Sequence, residues 1–232
     1  MTDPSPVTLI TGGSSGIGAA VATQLLARGH RVAVTGRRAE RLEKYAAERG
    51  HPDTLLTLPG DAGELDDVRA AVERTVATFG RLDHAIANAG YATFEGVVEA
   101  DPAKFKAMAL TNVLGPALLV NLAVPHLRET KGRIVLVGSV AGTKYSEDNL
   151  YGAFKWAVHA LAENTRLAVT RDGIGVTLIA PGRTLTDFWT AEEPEGPLVT
   201  ADQVADSIVF ALTQPEGVDI NTMVIRPVGM PI

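Results

Sequence analysis

The hydrophobic residues of the chain follow two alternating patterns. Short apolar runs rich in β-branched residues are separated by longer stretches in which apolar residues recur at helical spacing. This alternation is typical of parallel strands joined by crossover helices. Strands are predicted at residues 7–11, 31–35, 54–58, 84–88, 133–138, 175–180 and 223–226. Helices are predicted at residues 17–28, 39–49, 65–79, 102–128, 150–171 and 201–213. The pattern predicts an α/β fold, a doubly wound sheet of seven parallel strands with helices on both faces.

No internal repeat or long linker divides the sequence, so residues 1–232 are expected to form a single domain. One irregular stretch, residues 183–199, leaves the C-terminal end of a predicted strand, where parallel sheets hold their ligands. A loop of this length is either a lid or a mobile solvated connection, and its position favours a substrate loop. Thr200, which follows it, is expected to cap the last helix.

The composition of the chain indicates which kinds of binding partner are favoured. The chain carries 21 Lys and Arg against 27 Asp and Glu residues, a formal net charge of −6. It therefore offers no broad basic surface to nucleic acid or an anionic membrane, and a small-molecule partner is favoured, although solubility alone would also explain the charge. There is no cysteine, and the five histidines are scattered without ligand spacing, so no metal site is expected.

The N-terminal residues and the most apolar segment indicate where in the cell the protein is expected. Residues 1–6 are short and polar and lead directly into an apolar strand, unlike a secretory signal peptide. The most apolar stretch, residues 114–127, is interrupted by Pro116, Asn121 and Pro125. It falls short of the roughly 18 apolar residues that a membrane span needs, so a cytoplasmic protein is expected.

The first predicted strand runs into a glycine-rich turn. Residues 11–18 read Thr-Gly-Gly-Ser-Ser-Gly-Ile-Gly and continue into a helix. Glycines let the backbone approach a pyrophosphate closely, while the helix N-terminus presents unpaired N–H groups to the anion. A dinucleotide is therefore expected to contact Gly12, Ser14, Ser15, Gly16, Ile17 and Gly18. The motif lacks the Lys-Ser/Thr ending of a nucleotide-hydrolysing P-loop.

The end of the second predicted strand indicates which dinucleotide binds. An NAD site usually has an acid there for the ribose 2′-hydroxyl, whereas an arginine accommodates the 2′-phosphate of NADP. Here the chain reads Thr35-Gly36-Arg37-Arg38, with two guanidinium groups in place of the acid. NADP(H) is therefore favoured over NAD(H).

Tyr151 and Lys155 lie four residues apart in a predicted helix, so their side chains share one face. The tyrosine pKa of about 10 is high for acid–base work at neutral pH, but a nearby cation favours the phenolate. Ser139 ends a predicted strand at the ligand-holding edge of the sheet and can hydrogen-bond a substrate oxygen. Tyr151 and Lys155 can therefore share a site, and Ser139 is placed to contact the same ligand.

Together these motifs resemble the short-chain dehydrogenase/reductase family over nearly the whole chain. The resemblance rests on residues 11–18, Asn88-Ala89-Gly90, Asn112, Ser139, Tyr151, Lys155 and Pro181-Gly182. It implies a Rossmann-like fold and an NADP-dependent ketoreductase that interconverts a ketone or aldehyde and an alcohol by direct hydride transfer.

The resemblance also implies roles. Tyr151 would exchange a proton with the substrate oxygen, Ser139 would hold that oxygen, and Lys155 would bind the nicotinamide ribose and lower the Tyr151 pKa. Asn112 would help to hold a water that relays protons from Lys155, although taken alone it suits a helix–helix hydrogen bond better. The other implied cofactor contacts are Asp61 and Ala62 at the adenine, Asn88, Ala89 and Gly90 along the cofactor, and Pro181, Gly182, Thr184 and Thr186 near the carboxamide.

Two positions depart from the family pattern without removing a reacting group: Ala87 replaces a frequent asparagine, and Phe154 a frequent serine. In the short substrate loop, Phe188 and Trp189 could form an apolar wall or belong to the core or an interface. Substrate contacts are expected from Ser139, Ala141, Tyr145, Tyr151, Phe188 and Trp189, with Tyr91, Phe94 and Thr143 as further pocket candidates.

The favoured function is an NADPH-dependent reductase of a 3-oxo acid derivative, a polyketide-like intermediate or a xenobiotic. Residues 218–227 resemble the family branch that includes NADP-dependent 3-hydroxy acid dehydrogenases. The alternatives are an NADP(H)-binding redox sensor without turnover, which would need none of Ser139, Tyr151 and Lys155, and a scaffold, which would leave both motifs unexplained. The resemblance implies a homotetramer or homodimer packed through residues 114–127 and 157–169, or these segments simply face the sheet.

Overall fold

A parallel sheet of seven strands runs through the centre of the molecule. The structure is a computed structural model, and it describes residues 5–147, 149–189 and 195–230. The strands are β1 Val7–Ile10, β2 Arg31–Gly36, β3 Leu55–Pro59, β4 His84–Ala87, β5 Arg133–Val137, β6 Gly175–Pro181, β7 Thr184–Leu185, β8 Val199–Thr200 and β9 Thr222–Ile225. The order in the central sheet is β3-β2-β1-β4-β5-β6-β9. The helices are α1 Gly16–Ala27, α2 Ala39–Ala47, α3 Leu65–Phe79, α4 Pro102–Ala109, α5 Gly115–Thr130, α6 Leu150–Val169 and α7 Ala201–Leu212.

The central strands are apolar along their whole length because both faces of the sheet are covered. All residues of β1 and β4 are buried, as parallel sheets with helices on both sides require. One core layer joins the sheet to α3, α5 and α6, and the other joins it to α1, α2 and α7. The doubly wound, Rossmann-like sheet predicted from the hydrophobic pattern is confirmed.

The strand order reverses at the centre of the sheet. β1 pairs with β2 on one side and with β4 on the other, so the loops that leave β1 and β4 diverge to opposite faces. A crevice opens at such a switch point, beyond the C-terminal ends of the strands. The glycine-rich turn after β1 and the Asn88 segment after β4 therefore lie next to each other.

The predicted helix at residues 102–128 is not a single regular α-helix. A π-helical turn, Leu110–Leu114, separates α4 from α5. Such a turn inserts one extra residue into the helix and often accompanies functional sites, but the hydrophobic period hardly changes, which is why the sequence did not reveal it. The π turn carries Asn112.

The combined stretch Pro102–Thr130 is long and apolar enough to span a membrane by length and composition, with a mean hydropathy of 1.7. Its inner face nevertheless packs in the core, where Leu119, Ala123 and Leu127 are at most 1% exposed. The core helix of a globular protein has this same composition.

A second, two-stranded sheet was not predicted. β7 pairs with β8 through Thr184 and Val199 and through Leu185 and Thr200, and strands of two residues are too short to produce a pattern. The pairing joins the two ends of the predicted substrate loop, residues 183–199, of which residues 190–194 lie outside the described part of the chain. Thr200 then caps α7 as predicted, in a reciprocal arrangement with Gln203.

Candidate active site

A cleft of about 1060 Å³ lies at the C-terminal ends of the strands. It is lined by the predicted cofactor residues Gly12, Ser14, Ser15, Gly16, Ile17, Arg37, Arg38, Asp61, Ala62, Asn88, Ala89, Gly90, Pro181, Gly182, Thr184 and Thr186, and by Ser139, Ala141, Tyr145, Tyr151, Lys155, Phe188 and Trp189. Gly18 and Asn112, and Thr143 among the further pocket candidates, are the predicted residues that do not line it. Residues distant in sequence thus share one concave surface.

The glycine turn depends on having no side chains at two positions. Gly12 has φ +68°, and a Cβ there would lie 2.9 Å from the Cα of Ala89. A Cβ at Gly18 would lie 2.4 Å from the Gly12 carbonyl oxygen, far inside van der Waals contact. Gly18 therefore serves to pack α1 against the turn, behind the cleft surface. Ser15 precedes α1 without a side-chain capping bond, so its hydroxyl does not occupy the first N–H groups of the helix.

Asn88 ties the end of β4 to this turn. Its side-chain amide donates to the carbonyl oxygens of Thr11 and Gly12, both at 3.0 Å. In return, the Thr11 hydroxyl accepts from the backbone N–H groups of Asn88 and Ala89, both at 3.2 Å. The side-chain amide of Asn88 is therefore committed to holding the glycine turn in shape.

Three arginines collect at the same end of the cleft. Arg37 and Arg38 follow β2, and Arg41, which the sequence argument missed, lines the cleft one helical turn further along α2. The Arg37 guanidinium lies 5.8 Å from the centre of the Tyr91 ring. Arg41 forms a 3.1 Å ion pair with Asp187 of the distant substrate loop. Arg41 lies three residues after Arg38, so the two share a face of α2, and this spacing is the feature of the sequence that could have identified Arg41.

Tyr151 and Lys155 are both buried side chains of α6, 9% and 4% exposed. The Lys155 ammonium donates to the Val137 carbonyl oxygen at 2.7 Å and lies 5.6 Å from the centre of the Tyr151 ring. Burial lowers the pKa of Lys155 to about 8. Burial also raises the pKa of Tyr151, and a polar contact with the Ser139 hydroxyl offsets this only in part.

The lowering of the Tyr151 pKa by Lys155 therefore stays a prediction. In this structure burial has the largest effect on that pKa, because a buried phenolate is costly, and the Lys155 ammonium donates to the Val137 carbonyl oxygen at the end of β5. The phenol consequently stays protonated at neutral pH.

Ser139 caps the short 3₁₀ turn Val140–Thr143, and its hydroxyl oxygen accepts from the Ala141 N–H at 3.1 Å. Its carbonyl oxygen lies 3.0 Å from Nε2 of His159. A carbonyl can only accept, so Nε2 carries the proton. Burial lowers the His159 pKa, which favours the neutral ring. His159 stands behind Ser139 on the helix that carries Lys155.

Asn112 is 1% exposed, and its side-chain amide bonds to the chain after β4 and not to another helix. Its amide nitrogen donates to the Tyr91 carbonyl at 2.7 Å, and its amide oxygen accepts from the Tyr91 N–H at 3.1 Å. This pair of bonds holds the chain after β4 against the π turn. A Cβ on Gly90 would meet both Asn112 Oδ1, at 3.0 Å, and Lys155 Nζ, at 3.7 Å, so Asn112 borders the Lys155 site. The proton relay through Asn112 stays a prediction.

Aromatic side chains form the end of the cleft above Tyr151. The Phe188 ring lies 5.6 Å from the Tyr151 ring. Trp189 lies 5.5 Å from Phe188 and stacks at 5.5 Å on Phe94. Tyr145 is 91% exposed and stacks outward on Trp156, so it borders the cleft only at its mouth. Thr143 does not line the cleft.

A doubly wound sheet with a glycine turn, a buried Tyr–Lys pair and an adjacent serine defines a class of oxidoreductases. Residues 6–196 match the short chain dehydrogenase family, and the chain belongs to this family. The resemblance seen in the sequence is confirmed.

Two bacterial relatives illustrate the similarity. An uncharacterized oxidoreductase of Staphylococcus epidermidis is 30% identical over 226 residues, which cover 96% of this chain and 97% of the relative. One of Staphylococcus saprophyticus is 30% identical over 231 residues, again covering 96% and 97%.

Solved structures share the fold along nearly the whole chain. The alcohol dehydrogenase of the archaeon Thermococcus sibiricus, complexed with 5-hydroxy-NADP, has a TM-score of 0.90 and 25% identity and covers 98% of both chains. The closed form of a serine dehydrogenase complexed with NADP⁺ has a TM-score of 0.87 and 28% identity, covering 97% of this chain and 96% of that one. A 3-ketoacyl-(acyl-carrier-protein) reductase from Brucella melitensis, complexed with NADH, has a TM-score of 0.88 and 25% identity, covering 96% and 97%.

Proposed function

We propose that the protein is an NADP(H)-dependent oxidoreductase that interconverts a ketone or aldehyde and an alcohol, acting on CH–OH groups. The observation that carries this is the buried Tyr151 phenol, which faces the cleft between Ser139 and Lys155. The same cleft continues to the glycine turn and the arginines.

The residues present suit a phosphorylated dinucleotide. The cleft is at the upper end of the roughly 300–1,000 Å³ typical of small-molecule sites, and both Arg38 and Tyr151 line it. The turn at Gly12 and the start of α1 present backbone to a pyrophosphate. Two of the similar solved structures contain NADP or its 5-hydroxy derivative.

The arginines support NADP(H) over NAD(H). Arg37, Arg38 and Arg41 stand where an NAD site has an acid, and each can donate charge-assisted hydrogen bonds to a 2′-phosphate. Since the Brucella neighbour contains NADH, the family fold itself does not decide the preference. The side chains at this end decide it.

The nicotinamide, when bound, supplies or accepts a hydride at the substrate carbon. Tyr151 Oη holds the proton that the carbonyl oxygen receives in reduction, and the raised pKa keeps it there at neutral pH. The Ser139 hydroxyl already accepts from Ala141 N–H, so its own proton is available to the substrate oxygen. Lys155 places a positive charge beside the phenolate that forms and would hold the ribose.

The test is an NADPH and NADH consumption assay with a panel of ketones and aldehydes, using the wild type and Tyr151→Phe. We expect the substitution to lower kcat by a factor of about 100 to 10,000, the usual contribution of a positioned acid. Tyr45→Phe is the matched control, because Tyr45 is equally buried but bonds to Thr23 and Ala19 away from the cleft. Full activity of Tyr151→Phe would contradict the mechanism, and tight NADPH binding without turnover of any carbonyl would favour the sensor.

We further propose a cytoplasmic homotetramer or homodimer. Leu114 and Leu167, on the long central helical stretches, are 42% and 60% exposed, which suits contact between copies. Light scattering of the purified protein gives the mass, and a monomer at micromolar concentration would contradict the assembly.

A further inference from the structure

The aromatic end of the cleft is made by two chain segments that are far apart in sequence. Phe94 belongs to the segment between β4 and α4, while Phe188 and Trp189 follow β7. The Phe94 and Trp189 rings are nearly parallel, with 4° between their planes. Phe188 meets both rings nearly edge-on, at 79° and 83°. We call Phe94, Phe188 and Trp189 the aromatic wall.

The aromatic wall is held in place and still reaches the cleft. The Trp189 indole N–H donates to the Thr184 carbonyl of β7 at 2.9 Å, and the Phe188 N–H donates to the Thr186 hydroxyl at 3.3 Å. Phe94 is 54% exposed and lines the cleft. Packing alone does not explain a ring left half in solvent at the mouth of a reactive cleft, whereas a bound apolar group that covers it does.

Charged groups near the aromatic wall are largely committed to other partners. Asp187 is paired with Arg41, and an Arg183 guanidinium nitrogen donates to the Glu195 carbonyl at 2.7 Å. Lys155 points away to Val137. Among the described residues, Lys144 is the remaining charged side chain that borders this end, and it is the group that an acidic substrate would use.

We propose that the aromatic wall is a subsite for a flat, conjugated group, so that the substrates are neutral aryl ketones or aldehydes. The proposal rests on the proposed function of the same cleft. Aromatic rings attract another π system in edge-on and offset geometries, beyond the effect of buried area, and an alkyl group of equal size lacks this attraction. In the reduction, the carbonyl carbon gains a hydride from NADPH, the oxygen gains the Tyr151 proton, and the aryl alcohol and NADP⁺ leave.

The first test measures binding without turnover. The chain has two tryptophans, so Trp156→Phe leaves Trp189 as the only indole and a reporter inside the wall. In the presence of NADP⁺, benzamide is expected to change the Trp189 fluorescence saturably. Its half-saturating concentration is expected to be about tenfold below that of cyclohexanecarboxamide, because one or two aromatic contacts supply a preference of this size. Equal affinity for the two amides would overturn the proposal.

The second test compares turnover of two eight-carbon ketones, acetophenone and cyclohexyl methyl ketone. Wild-type kcat/KM is expected to favour acetophenone about tenfold, and Phe94→Leu and Trp189→Leu are each expected to reduce that ratio to about two- or threefold. Phe210→Leu, an equally exposed ring on α7 outside the cleft lining, should keep the wild-type ratio.

The outcomes separate the two proposals. Selective benzamide binding without reduction of either ketone would remove the proposed function and leave the subsite. Equal reduction of both ketones would remove the subsite and leave the function. A preference for acetoacetate over both ketones, abolished by Lys144→Met, would replace the aryl subsite by an anion subsite.

Discussion

The two ends of the cleft differ in what forms the surface that a ligand would contact, backbone at one end and side chains at the other. At the glycine turn, the backbone itself forms the surface, and a single added carbon at Gly18 would overlap the Gly12 carbonyl. At the aromatic wall, side chains from two loops form the surface, and Phe94 is still half exposed. A backbone surface can hardly be altered without losing its shape, whereas a side-chain surface can be changed one ring at a time. The expected effects of substitution therefore fall from the first end to the second.

Gly18→Ala gives the largest expected effect outside Tyr151. The new Cβ would lie 2.4 Å from the Gly12 oxygen and 2.6 Å from the Asn88 amide nitrogen, so the turn must move. Displacing a positioned ligand by about 1 Å can lower kcat/KM on the order of 100-fold. Steady-state kinetics and an NADPH fluorescence titration measure the loss.

Gly217→Ala is the control for this prediction, because Gly217 also has positive φ but nothing within 4 Å of its Cβ position. It should reduce thermal stability and leave NADPH affinity unchanged. Unchanged NADPH affinity in Gly18→Ala would show that the turn is more plastic than its contacts indicate.

The arginine end should decide between the two nicotinamide cofactors. Replacing both Arg37 and Arg38 by Gln is expected to lower the NADPH-to-NADH ratio of kcat/KM by about 10- to 100-fold, since hydrogen bonds to a charged group contribute about 1.5–3 kcal/mol. Arg41→Gln should lower it less, because Arg41 also pairs with the exposed Asp187. Arg49→Gln is the control, since Arg49 stacks on Tyr45 away from the cleft. An unchanged NADPH-to-NADH ratio in the double variant would contradict the assignment of NADP(H).

The pH profile gives the smallest expected effect. Burial lowers the pKa of Lys155 to about 8, so the ammonium is present below that pH and is lost as the pH rises through it. Reductive kcat/KM is expected to be level below pH 8 and to fall by up to about tenfold per pH unit above it, as for one deprotonation. Lys155→Arg keeps its charge and should move the fall to higher pH. A level wild-type profile up to pH 10 would contradict a role for the Lys155 charge.

Much of the fold and half of the site could be predicted because their signals are local. The predicted bounds of the helix Leu65–Phe79 equal the observed ones, because an amphipathic pattern and the residues that end it lie close together in the sequence. The seven strands of the central sheet were each placed within one residue at either end. Tyr151 and Lys155 share a helix face through their spacing alone, and the glycine turn follows from backbone requirements of neighbouring residues.

The features that the sequence could not predict depend on contacts between residues that are far apart in the chain. The chain by itself determined the doubly wound sheet, the glycine turn and the Ser139, Tyr151 and Lys155 group, because each follows from periodicity or from a short motif. Only the tertiary structure decided that Arg41 pairs with Asp187, 146 residues away, that Lys155 points toward Val137, and that Phe94 meets Trp189. Burial likewise decided the direction of the Tyr151 pKa, because the cost of charging a side chain depends on everything that packs around it and not on its neighbours in sequence.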